Sequence, residues 1–98
     1  MRSLKVTIKD IKGLCSVYEV GDEFLIDRGY VLRCERDVPI CMHSLSALMP
    51  FYVALSKGIL AENLGLAKEG APEVALIHCP DPCKSPRGGT VLMEIRCV

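Results

Sequence analysis

The chain has no tryptophan and only three tyrosines and two phenylalanines, so an aromatic platform for stacking bases is not expected. It has no net charge: twelve basic and twelve acidic side chains are spread along 98 residues. A basic stripe of the kind that neutralises phosphates is missing, and nucleic acid is not an expected partner. No run approaches the roughly eighteen apolar residues that cross a bilayer, so no membrane association is expected. The opening Met1-Arg2-Ser3-Leu4-Lys5-Val6 passes directly into alternation, without the apolar core and cleavage site of a secretory signal. The expected location is therefore cytoplasmic, where thiols stay reduced or bind metal. Sequence signatures of familiar chemistry are also missing. There is no phosphate-binding glycine loop, nucleophile elbow, His-Glu-x-x-His or calcium loop. Neither the paired Cys-x2-Cys knuckles of zinc sites nor a Cys-x-x-Cys redox pair occurs.

What remains is half hydrophobic and about one quarter charged, enough to bury a core without disulfide staples in one domain spanning residues 1–98. Val6 and Ile8 alternate with Lys5, Thr7 and Lys9, the pattern of a half-buried strand. A loop over residues 13–18 holds Cys15. Gly21-Asp22-Glu23 turns into a second strand with Phe24 and Ile26 on one face, and residues 31–35 form a short third. Met42, Leu45, Leu48, Met49, Tyr52 and Leu55 recur at helical spacing, predicting one main helix from about residue 42 to 57. Pro50 inside it predicts a kink or break over residues 46–50. A further short helix fits residues 59–71. Residues 74–79 and 90–98 read as the strands of a hairpin joined by a Pro- and Gly-rich loop. The expected fold is α+β: an antiparallel or mixed sheet of about four or five strands with one helix packed on it. The expected core is Val6, Ile8, Phe24, Ile26, Leu45, Leu48, Leu76, Val91, Met93 and Ile95.

The six cysteines are the only residues that offer chemistry. Cys15, Cys41, Cys79 and Cys83 fall at element ends, where functional groups gather. Cys34 and Cys97 fall in strand-like stretches and are expected to be small core hydrophobes. Cys41 opens the helix, where the dipole favours a thiolate, and His43 follows as a ligand or proton partner. Cys79-Pro80-Asp81-Pro82-Cys83, preceded by His78, is a stiff segment able to turn two thiolates toward one ion. Against these stand blander readings: Cys41 a buried thiol, the Cys79–Cys83 turn a packing feature, His43 solvated and His78 a histidine at the core edge.

Taken together, several segments resemble a family of short uncharacterised prokaryotic proteins. They are the Lys-Val-Thr-Ile opening strand, the loop thiol Cys15, Val20-Gly21-Asp22-Glu23-Phe24, and Cys41 at the start of a helix with Ala47-Leu48 and Pro50-Phe51. Cys79-Pro80-Asp81-Pro82 and a closing strand over residues 91–98 complete the set. The resemblance covers nearly the whole chain and singles out Cys15, Cys41 and Cys79 as the family-like thiols, with Cys83 particular to this sequence. Leu14-Cys15-Ser16-Val17 lacks the family's Gly-His, so no histidine ligand is implied in that loop. The resemblance implies the fold and the cytoplasmic location but no established activity.

Three functions compete on these residues. The first is a metal site, zinc or an iron–sulfur cluster, on Cys15, Cys41 and Cys79, with Cys83, His43 or His78 as a further ligand; soft thiolates select such metals. The second is a thiol redox enzyme or sensor centred on Cys41 as candidate catalytic residue. The third is a non-catalytic interaction module, a homo-oligomer or a partner to another protein, with structural cysteines. The metal reading requires the three sulfurs to meet at one end of the sheet, which follows if the first and next-to-last strands run the same way.

Overall fold

The computed structural model describes residues 1–34, 37–80 and 88–98. Among them, six strands form one sheet: β1 (Leu4–Gly13), β2 (Glu23–Asp27), β3 (Val31–Arg33), β4 (Ala67–Lys68), β5 (Ala71–His78) and β6 (Gly89–Cys97). The order across the sheet is β3-β2-β1-β6-β5-β4, and every neighbouring pair is antiparallel. The short third strand expected over residues 31–35 is described as β3 at Val31–Arg33; sequence reasoning missed β4, whose two residues are too few for alternation to register. The sheet is anchored by β1 and β6, paired from Leu4↔Cys97 to Gly13↔Gly89 with a register shift between Ile8 and Asp10.

The helical part differs from one continuous helix. It comprises α1 (Met42–Leu48) and α2 (Tyr52–Ser56), followed by a 3₁₀ turn at Ala61–Leu64. Pro50 causes the break. It has no N–H to donate to the Ser46 carbonyl, and the Met49 N–H closes the turn early on Leu45 and Ser46, at 3.2 and 3.3 Å. A new turn starts when Leu55 N–H reaches the Phe51 carbonyl. Among the described residues no helix is long and apolar enough to cross a membrane.

Leu4, Val6 and Ile8 of β1, Phe24 and Ile26 of β2, and Val91, Met93 and Ile95 of β6 are buried in one cluster with Leu48 and Leu55 from the helices. Period-2 alternation puts these strand residues on the face that α1 and α2 cover. Two expected core residues lie elsewhere. Leu76 is partly exposed because it pairs with Glu94, on the opposite face; Val74, Ala75 and Ile77 carry the core contacts of β5 instead. Leu45 is also partly exposed, lining a surface groove with Met49 and Tyr52. On the outer face Glu94 is almost wholly covered, with Arg96, Lys68 and Lys9 at 2.6, 3.2 and 3.7 Å.

Both expected core cysteines are exposed. Cys34 follows the last residue of the edge strand β3, past the end of its pairing with β2, and among the described residues no strand lies on its outer side. Cys97 has the inward parity of Val91, Met93 and Ile95, but the pairing of β6 with β5 ends at Ile95↔Ala75. Beyond that point the strands part around an open cavity of about 320 Å³, and the Cys97 thiol lies at its rim, 3.5 Å from the Leu55 carbonyl.

Candidate functional site

β1 and β5 are each antiparallel to β6, which lies between them, so they run in the same direction. Their C-terminal ends therefore emerge at the same edge of the sheet. Cys15 follows the end of β1, and Cys79 follows the end of β5. The chain that leaves β3 reaches the covered face and begins α1 at Cys41, the residue before its first turn. Cys15, Cys41 and Cys79 all line one cavity of about 210 Å³, together with Tyr18, His43 and Ser44.

Each thiol is held differently. Cys79 is buried; its sulfur accepts the Val91 N–H at 3.2 Å, while its backbone N–H bonds the Val91 carbonyl at 3.0 Å. Cys15 is partly exposed, and its sulfur accepts the Tyr18 N–H at 3.4 Å. N–H donors directed at sulfur are the outer-shell contacts that stabilise negative charge on a ligating thiolate. Cys41 is partly exposed, and its thiol makes no capping hydrogen bond to the helix. Since α1 has only seven residues, its dipole gives Cys41 less than a long helix would.

The polar wall of the cavity belongs to Tyr18 and Ser44, both buried. Their hydroxyls are 2.7 Å apart, the Cys41 N–H donates to the Tyr18 hydroxyl at 2.9 Å, and the Ser44 hydroxyl donates to the Cys41 carbonyl at 2.8 Å. Burial pushes the Tyr18 phenol above its ordinary pKa, partly opposed by its bonds to Ser44 and Cys41. The Tyr18 ring lies nearly parallel to Phe24, 15° between planes and 6.4 Å between centroids.

The remaining candidates divide. His43 is exposed and borders the cavity. His78 projects from the opposite side of β5 to Cys79, exposed, with its ring Nδ1 2.8 Å from the Cys79 carbonyl; it does not border the cavity. Cys83 lies outside the described residues. Among the described residues no group of three His, Cys, Asp or Glu side chains is arranged to hold a metal ion. Cys15, Cys41 and Cys79 thus share a cavity without yet converging on one point. Sequence reasoning missed Tyr18 and Ser44. Tyr18 sits in a loop between strands with no periodicity to mark it, and Ser44 reads as an ordinary polar residue of the first helical turn.

Gly89 opens β6 against this site. A Cβ there would overlap the Leu14 carbonyl and approach the Cys15 nitrogen to 3.0 Å, so only glycine lets β6 pass this close to the Cys15 loop. No known protein family, curated protein or solved structure matches this chain.

Proposed function

We propose that this protein binds a thiophilic metal centre, an iron–sulfur cluster in preference to a zinc ion, through Cys15, Cys41 and Cys79. The observation that carries the proposal is that these three thiols, from segments far apart in sequence, line one cavity at one edge of the sheet. Soft thiolates select zinc and iron over magnesium or calcium. A closed tetrahedral zinc site draws its sulfurs to about 2.3 Å from the ion and leaves no room between them. A cavity of about 210 Å³ leaves room for a group larger than one ion. Loading would draw the three sulfurs together, with the N–H bonds that Val91 and Tyr18 now make to Cys79 and Cys15 rearranging around the bound group. Three thiolates leave one coordination position for His43 at the rim, or for a substrate. The family resemblance points to the same three cysteines, and the reading goes with a reducing, cytoplasmic setting.

Anaerobic purification followed by iron, sulfide and zinc analysis, with an absorption spectrum, tests the proposal. A brown protein with iron and sulfide in equal amounts, lost in Cys41→Ser and Cys79→Ser but kept in Cys34→Ser and Cys97→Ser, is the expected result. Protein that stays colourless and metal-free after anaerobic reconstitution overturns it. Among the three cavity thiols of that metal-free protein, rapid alkylation of Cys41 alone would turn the reading to a thiol redox enzyme or sensor, and slow reaction of all three to an interaction module.

A further inference from the structure

The capping of α1 is unusual in its division of labour. A helix normally takes its first hydrogen bonds from the side chain of the residue before it, whose oxygen accepts an N–H of the first turn. In a capping box, the side chain three residues on returns a bond to the N–H of that first residue. Here the residue before the helix is Cys41, and its side chain caps nothing. The residue three positions on is Ser44, which does not accept the Cys41 N–H; it donates instead to the Cys41 carbonyl at 2.8 Å. The Cys41 N–H goes to the Tyr18 hydroxyl, 2.9 Å away.

These contacts fix the direction of the third. A serine hydroxyl has one proton, and that of Ser44 is committed to the Cys41 carbonyl. The 2.7 Å contact between the Tyr18 and Ser44 hydroxyls is therefore donated by tyrosine. The result is a closed ring: Cys41 N–H to Tyr18, Tyr18 O–H to Ser44, Ser44 O–H to Cys41 C=O. Within the ring each member donates once and accepts once, and the Cys41 carbonyl also accepts the Leu45 N–H at 3.0 Å, so the polar cluster is fully paired, the condition under which it rigidifies its surroundings. The same tyrosine holds the Cys15 sulfur through its backbone N–H, joining two of the three thiol-bearing segments.

We infer that Tyr18, acting through Ser44, is the positioning residue of the thiol site: the ring clamps both backbone polar groups of Cys41, relieves its side chain of capping, and leaves the thiol free to face the cavity. This rests on the reading of the cavity as a metal centre, and it adds the residue that holds the unpaired ligand in place. Tyr18→Phe keeps the ring packing on Phe24 and the N–H to Cys15 while removing the hydroxyl. Ser44→Ala breaks the same ring from the other side.

The test follows each thiol of the reduced, metal-free protein by iodoacetamide labelling and mass spectrometry, with Cys34 and Cys97 as exposed references. Labelling of Cys41 is expected to rise about fivefold in Tyr18→Phe and in Ser44→Ala, the change in local opening that one lost hydrogen bond gives. The double variant should add little to either alone, because one ring is broken once. Cys15 should keep its rate. In metal-reconstituted protein the thiolate-to-metal absorption band should shift in Tyr18→Phe. An unchanged Cys41 rate in both variants, or an equal rise at every thiol, overturns the inference. Wild-type protein that takes up no metal overturns the metal reading alone, because the labelling experiment decides the role of Tyr18 without metal.

Discussion

Leu48 tests how α1 is bound to the sheet. Its side chain is 2 % exposed and belongs to the core cluster with Ile26 and Phe24. Truncating a buried leucine to alanine costs about 2–5 kcal/mol, the spread reflecting how far the surroundings collapse into the space left. The structure places Leu48→Ala in the lower half of that range. Leu48 borders an open groove of about 210 Å³ with Leu45, Met49 and Tyr52, and Leu45 and Met49 are already partly exposed or exposed. The new space would join the groove, and a flexible methionine can lean into it. Met93 is the contrast: fully buried in β6, which is paired on both sides, it is walled by backbone that cannot move. We expect about 2–3 kcal/mol for Leu48→Ala and about 3–5 kcal/mol for Met93→Ala. The first is a fall in melting temperature of about 10–20 °C for a chain of this size. Urea titrations and thermal melts by circular dichroism read both. A Leu48→Ala midpoint equal to wild type, or a larger loss than in Met93→Ala, would refute the placement of α1.

Gly89→Ala should cost at least about 1–3 kcal/mol, because the new Cβ meets the backbone of Leu14 and Cys15 rather than a side chain that can swing away; thermal melts check it, and a neutral substitution would show that the Cys15 loop is not fixed against β6. For Glu94, burial alone would raise the carboxyl pKa, but its bonds to Arg96 and Lys68 outweigh burial and hold it below the ordinary glutamate value. Its stabilising effect is therefore complete above that ordinary value and is lost as pH falls through the lower folded-state value. Glu94→Gln should flatten the acid side of the stability–pH profile, and a profile parallel to wild type would remove Glu94 from the network. In the metal-free protein, Cys34 and Cys97 should be alkylated first and Cys79 last, following their exposure; mass spectrometry of a short labelling time course reads the order, and early labelling of Cys79 would show that the cavity opens readily.

The strands that anchor the sheet were legible because their chemistry alternates. Val6 and Ile8 against Lys5, Thr7 and Lys9, and Val91, Met93 and Ile95 against their neighbours, name the buried face before any partner is known. Pro50 likewise announced the break between α1 and α2, since its missing N–H acts wherever the helix sits. The element-end reading marked Cys15, Cys41, Cys79 and Cys83; the first three line one cavity, and Cys83 lies outside the described residues. Depth was not legible. Cys97 continues the inward parity of β6 yet is exposed, because its cover depends on how far β5 runs alongside; Leu76 looks like core but shares a register position with Glu94. Nor could the chain alone show that β6 inserts between β1 and β5, the arrangement that makes those two strands parallel and brings Cys15 and Cys79 to one edge. The Tyr18–Ser44–Cys41 ring lies further still from the sequence. Its two side-chain members are 26 residues apart, and hydrogen bonds of that span are set by where the sheet and helix place the backbone, which local pattern does not encode.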